Sequence, residues 1–409
     1  MATIIPSTDE DLAISVVRFV SEHAWADAGA DVAEPQVARL CQEAQECIVM
    51  ARWLDLASLI LTSADLVFTK VSEKDVECIY TVICNLVTKS ENPDEVLEIV
   101  KLVTAKITQR PSEKPALRLK VLFNLYNLLE DAYSRYYVYL KSLQLAASGK
   151  VTEHVIPSFK KVDSFLKEWN VGVEDQRELF LTIFNILKDS KSCGKDSFNF
   201  VTKYLATFSQ DDGNVMGEVK DEAVNAIIEF VKAPDMFQCD LLDMPAVAQL
   251  ENDSKNSLIY QLLLIFLTQR LESYLDFQTA NSDLLKSYGL VHEDCVAKMR
   301  LLSLVDLASK SGQIPYAVIK DTLRVNDNEV EHWVVKAISA KLLDCKMDQM
   351  NQVVIVSRCA ERLFGQQQWV DLQSKLVTWR ENIANVVSTI QANKITDDAA
   401  QAMQSMTVR

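Results

Sequence analysis

The sequence predicts a mainly α-helical chain: a right-handed helical-repeat solenoid, then a winged-helix module, then a C-terminal bundling helix. Three observations carry this. Only 9 Gly and 9 Pro punctuate 409 residues, too few breakers for a many-stranded sandwich or barrel. Amphipathic segments of helical period follow one another to about residue 300, with short connections. Near the C-terminus, large apolar residues recur at gaps of three and four, which is a heptad seam.

In chain order, residues 1–35 are rich in Ala, Asp and Glu, which predicts a poorly ordered N-terminal segment. Residues 36–195 read as the helical-repeat region, with helices near 36–49, 53–69, 73–90, 94–109 and 155–169. ALRLKVLFNLYNLLEDA (116–132) places Leu117, Val121, Leu125, Leu128 and Leu129 on one stripe, and SRYYVYLKSLQLAAS (134–148) follows after almost no loop. EDQRELFLTIFNILKDS (174–190) opens with acids and closes near Lys188 and Lys191, as the helix dipole prefers. Short connections imply antiparallel neighbours, and a series of such pairs builds a solenoid. No strict repeat signature is present, so any repeats have diverged in sequence.

Residues 196–365 continue with helices near 196–208, 218–232 and 257–276. From about residue 298 the texture changes. KMRLLSLVDLASKSGQ is a helix ending at Gly312; a short element, a second helix and a third from about Asn328 to Leu343 follow. LDCKMDQMNQVVIVS then reads as two strands around a polar turn, Leu343 to Met347 and Val353 to Ser357. Three helices and a strand pair in this order make a winged helix. Residues 366–392 form the heptad helix, with Trp369, Leu372, Leu376, Trp379, Ile383, Val386 and Ile390 on its seam, and residues 393–409 read as a flexible tail.

The net charge of −15 repels phosphate polymers and acidic lipid surfaces. Nine cysteines with no C-x-x-C pair read as buried free thiols in a reducing compartment. The acidic N-terminus lacks the basic and apolar regions of a secretory signal, and no uncharged apolar stretch is long enough to span a membrane. A cytoplasmic location is expected.

Catalytic constellations are hard to find. His23, His154, His292 and His332 each lack a second ligand at i+2 or i+4, and neither a phosphate-binding glycine loop nor a G-x-S-x-G elbow occurs. No enzyme activity, metal or cofactor is expected. A winged helix invites a DNA-binding reading, but the third helix starts among Asp327, Glu329 and Glu331, and residues 313–365 hold seven basic and seven acidic residues. A groove reader neutralises phosphates with Lys and Arg, so DNA is not the expected partner. The best basic cluster is Arg110, Lys114, Arg118 and Lys120. A solvated loop and helix start outweighs an RNA contact there. The strand residues Val353, Val354 and Ile355 suggest an exposed wing edge open to pairing with another chain. The terminal seam is the strongest feature. Three heptads are marginal as an isolated helix and need a surface to bury them, and paired tryptophans suit an interface anchor.

The layout of solenoid, winged helix and bundling helix resembles the PCI-domain family of subunits found in the proteasome lid, the signalosome and eukaryotic translation initiation factor 3. RPSEKPALRLKVLFNLYNLL, AKMRLLSLVDLA, DCKMDQMNQVVIVSRCAERLFGQQQWVDLQSKLVTW and RYYVYLKSLQLAAS look like the initiation-factor branch. The stretch with Phe364, Gly365, Gln367, Gln368 and Trp369 is fairly specific to it. The resemblance runs from about residue 40 to 390; residues 1–35 and the last seventeen are not matched, and the longer tail departs from the pattern. It implies a non-catalytic scaffold whose partners are other PCI-domain and MPN-domain subunits of initiation factor 3, and through the complex the small ribosomal subunit. No membrane or DNA is implied. A scaffold subunit of the signalosome or lid has the same architecture and stays open at this point, as does, less strongly, an RNA-binding adaptor.

Overall fold

The computed structural model describes residues 11–26, 30–62, 68–69, 71–189, 194–209, 217, 219–363 and 365–406. The chain divides into two compact units, Met1–Thr207 and Phe208–Arg409.

The first unit is helix on helix: α1 (Leu12–Ala24), α2 (Ala30–Val49), α3 (Trp53–Leu61), α4 (Glu73–Asn85), α5 (Pro93–Thr108), α6 (Pro115–Leu128), α7 (Ala132–Ser148), α8 (Val162–Trp169), α9 (Val173–Asp189) and α10 (Gly194–Ala206). Each packs chiefly on the next or the next but one: α1 on α2, α3 on α5, α4 on α6, α5 on α7, α9 on α10. That is the contact pattern of a helical repeat. Side-chain caps fix several starts by satisfying amide donors that have no partner in the first turn. Asp11 accepts from the Ala13 amide, Ser72 from Asp75, Asn92 from Asp94 and Asp131 from Ser134.

Three boundaries differ from the sequence expectation. The described part of residues 1–35 is not a loose start: Val16, Val17 and Val20 make a buried stripe on α1 that the surrounding Ala, Asp and Glu obscure. Helix α2 begins before Pro35, which sits inside it. The first unit ends after α10, not before it, because Phe198, Phe200, Val201 and Leu205 bury against α9, with the rings of Phe180 and Phe200 6.3 Å apart. Part of the helix expected at 53–69 falls on residues 63–67, outside the described residues.

The second unit contains α11 (Lys220–Lys232), α12 (Pro245–Ala248), α13 (Ser257–Thr268), α14 (Leu271–Ala280), α15 (Ser282–Ser287) and α16 (His292–Lys310). Then come β1 (Gln313–Pro315), α17 (Tyr316–Leu323), α18 (Val330–Ser339), β2 (Leu343–Asp348), β3 (Val353–Cys359) and α19 (Gln366–Met406). From α16 to β3 this is the winged helix. Its core joins Leu304 and Val305 of α16 with Ile314, Ile319, Leu323, Val330, Val334, Ala337 and Val354. The sheet has three strands, in the order β1-β3-β2, all antiparallel. Helix α19 continues to Met406, so the part of the expected flexible tail that is described is helical.

The expected helix 257–276 is two. Gln269 and Arg270 adopt extended backbone between α13 and α14, with Arg270 Nε bonded to Asp306 at 2.6 Å. Among the described residues no helix is long and apolar enough to cross a membrane. The described cysteines are free thiols, and burial pushes those of Cys84 and Cys239 up to about 12.

Gly149, at the end of α7, is where α7 meets the loop before α6. A Cβ there would lie 2.7 Å from Pro115 Cβ and 2.9 Å from the Pro111 carbonyl, while one at Gly194 would meet nothing within 4 Å. Gly149→Ala is therefore expected to lower the stability of the first unit by about 1–3 kcal/mol in denaturant unfolding, with Gly194→Ala close to neutral.

Candidate assembly interface

The terminal helix gives the chain its most unusual surface. Every residue from Trp369 to Asn393 is exposed. The seven seam residues, Trp369, Leu372, Leu376, Trp379, Ile383, Val386 and Ile390, are 37% to 65% exposed. Val370, Val377 and Val387 are exposed beside them. A run of large apolar side chains left in water marks an interaction site in a folded protein. The seam does not fold back onto its own unit.

The root of this helix is anchored by a residue that sequence reasoning passed over. Arg362, 9% exposed, donates from Nη2 to the Phe266 carbonyl at 2.6 Å and from Nη1 to the Gln269 carbonyl at 2.8 Å. These carbonyls belong to the end of α13, where the chain breaks before α14. A cation there meets acceptors with no partner in the last turn and the negative end of the helix dipole. Burial pushes the Arg362 pKa down to about 10, so it keeps its charge at neutral pH. Gln238 adds a hydrogen bond to the Glu361 carbonyl. The only trace in the sequence is position: an arginine in a short stretch of mixed apolar residues just before the heptads.

Lys298 does the same further back. Its ammonium, 2% exposed, donates to the carbonyls of Phe230 and Ala233, the latter at 2.8 Å, and lies 4.2 Å from the Phe230 ring centroid. It ties α16 to the end of α11. Burial pulls its pKa down from 10.5 to about 7.

The wing residues are placed differently from expectation. β3 is the central strand: Val353, Val354 and Ile355 pair with Pro315, Ile314 and Gln313 on one side and with Asp348, Met347 and Lys346 on the other. They form no open edge, because β1, invisible as a strand in so short a segment, occupies that side. Val354 is fully buried; Ile355 is 37% exposed and offers a side chain instead of a backbone edge. The start of α18 keeps its acids in fixed contacts. Glu331 accepts from Tyr316 at 3.2 Å and from Gln349 at 2.7 Å, and Lys320 pairs with Asp327 at 2.9 Å.

The basic cluster is engaged in structural contacts. Arg118 is 1% exposed, donates to the carbonyls of Ile107 and Glu113 at 2.7 Å each, and stacks 3.8 Å from the Phe68 centroid. Arg110 lies 3.6 Å from Glu113, Lys120 pairs with Glu77 at 2.6 Å, and Lys114 reaches the Val71 carbonyl at 3.5 Å. The sequence reads Arg118 as part of a solvated loop and helix start; instead it is buried and caps the end of α5. Arg118 is therefore no surface cation, while Arg110 and Lys120, 49% and 56% exposed, stay at the surface in ion pairs. Among the described residues no group of three or more His, Cys, Asp and Glu is placed to hold a metal ion.

A helical repeat, a winged helix and an exposed terminal helix together define a PCI-domain protein, and the chain matches the PCI domain family over residues 271–358. Residues 362–390 match the family described as eIF3 subunit M, C-terminal helix, which covers the seam and Arg362. Over 347 residues the chain is 35% identical to eukaryotic translation initiation factor 3 subunit M of Dictyostelium discoideum, covering 83% of this chain and 85% of that protein. The proteins of the same name from Homo sapiens and Gallus gallus are each 30% identical over 340 residues, covering 82% of this chain and 88% of theirs. The chain belongs to the family of eukaryotic translation initiation factor 3 subunit M.

Arg362→Ala should cost about 2–4 kcal/mol by leaving the α13 carbonyls buried without a donor. Hydrogen exchange should speed up around residues 266–271 while the first unit keeps its protection. Lys298 makes a pH-dependent contribution. Between about pH 7 and 10.5 the unfolded chain binds more protons than the native one, so stability rises with pH there and is lost as pH falls toward 7. From about pH 7 to 8, unfolding measurements should show native chain gaining about 1 kcal/mol relative to Lys298→Met.

Proposed function

We propose that this chain is a non-catalytic scaffold subunit of eukaryotic translation initiation factor 3. In this reading its terminal helix enters a helical bundle with the other PCI-domain and MPN-domain subunits, and the assembled factor acts on the small ribosomal subunit before start-codon selection. One observation carries the structural half of the proposal: a three-heptad apolar seam exposed along its whole length, on a helix whose root is held by Arg362. Such a seam is a helix-in-bundle element awaiting partners. The shared name of the relatives favours the initiation factor over the signalosome or the proteasome lid, which have the same architecture.

The winged helix then meets protein. Acids at the start of its third helix oppose phosphate, and Ile355 with Val318 and Val335 supplies exposed apolar contacts. The free sides of β2 and of the three-residue β1 are the backbone edges of the sheet, and β2 is the longer of the two.

The test changes Trp369, Leu376, Trp379 and Ile383 to Glu together and compares co-purifying subunits with those of the unmodified chain. Recovery of initiation-factor subunits should fall at least about tenfold, as expected when several interface anchors are lost at once, while circular dichroism of the two chains stays alike. Equal recovery by both chains contradicts the assembly role of the helix.

A further inference from the structure

Before it meets other subunits, the exposed seam has one partner always at hand: another copy of the same chain. Its size and charge pattern say how two copies would fit. Heptad positions a hold Trp369, Leu376, Ile383 and Ile390, and positions d hold Leu372, Trp379 and Val386. The seven seam residues expose about 800 Å² per copy, the area each partner brings to a stable interface of standard size.

Charge separates the two possible directions. In a parallel pair, residue g of one helix faces e of the next heptad on the other, so Lys375 meets Arg380 of the second copy, and does so twice by symmetry. Four cations at the centre of a short seam oppose that arrangement. In an antiparallel pair, a packs against d. One register sets Trp369 against Val386, Leu376 against Trp379 and Ile383 against Leu372 of the second copy. Each tryptophan then faces a smaller aliphatic side chain, as a well-filled core requires. The flanks become Lys375 against Asn382 and Arg380 against Gln373, with no like charges opposed.

We propose that the unassembled chain forms an antiparallel homodimer through α19, centred between Val377 and Thr378. The dimer hides the seam in water and makes self-pairing and entry into the larger complex mutually exclusive, so assembly proceeds by exchange of one helical partner for another. This inference uses the same seam as the assembly reading, and the two fail separately. A chain that is monomeric yet recovers initiation-factor subunits ends this inference alone. A dimeric chain that recovers none ends the other alone.

The experiment uses the purified full chain. Light scattering after size exclusion should give the dimer mass over a wide concentration range, and Leu376→Glu with Trp379→Glu should return it to half that value. Direction is read from disulfides formed by mixing Leu372→Cys and Ile383→Cys chains, one carrying a size tag, with the unmodified chain as control for the native thiols. Antiparallel pairing yields the mixed disulfide and neither self-disulfide. A monomer at every concentration overturns the proposal and leaves helices of other chains as the only occupants. Self-disulfides of the Leu372→Cys chain, or assemblies larger than two, overturn it as well.

Discussion

A helix that stops inside a stack of helices leaves carbonyl groups with no amide to bond, and this fold meets that constraint with buried or half-buried cations. Arg118 takes the Ile107 carbonyl at the end of α5, Lys298 those of Phe230 and Ala233 after α11, and Arg362 those of Phe266 and Gln269 after α13. Arg135 on the Leu129 carbonyl, Arg177 on Thr207 and Arg300 on Leu323 repeat the device in more exposed settings. A carbonyl end is both short of donors and electrically negative, so one cation answers two needs. The same contacts join consecutive elements, and that is how an acidic chain uses so much of its positive charge for architecture.

The terminal helix depends on this. Its seam is exposed, and its start is held at the root by Arg362 and by the bond from Gln238 to the Glu361 carbonyl. The break between α13 and α14 supplies the acceptors. Asp306 holds Arg270 in that break, and Arg362 then closes it. An interface element is thus set on a rigid support, while its apolar face stays free of the unit's own core.

Helix succession, the winged helix and the heptad seam were legible because they rest on periodicity, and periodicity is what a helix or a strand writes into a sequence. What periodicity does not encode is the long-range partner. Arg118 reads as a surface cation among other cations, yet Phe68 and the end of α5 enclose it. β1 is only three residues, Gln313–Pro315, too short to show alternation, so β3 looked like an edge when it is the middle strand. The break at Gln269 has no Gly or Pro to announce it; an ion pair with a residue thirty-six positions away makes it. Helix α1 was hidden for a different reason, since a stripe of three valines is diluted by the small and acidic residues around it.

The central claim is that α19 serves partner helices and not its own unit. Lysine cross-linking of the assembled initiation factor tests it most directly, because Lys375 sits in the middle of the seam's flank. The expected result is cross-links from Lys375 to helices of other subunits, with none to the lysines of residues 220–346 in its own chain. Cross-links from Lys375 to Lys310 or Lys341 of the same chain would show the helix folded back on its unit and contradict the account.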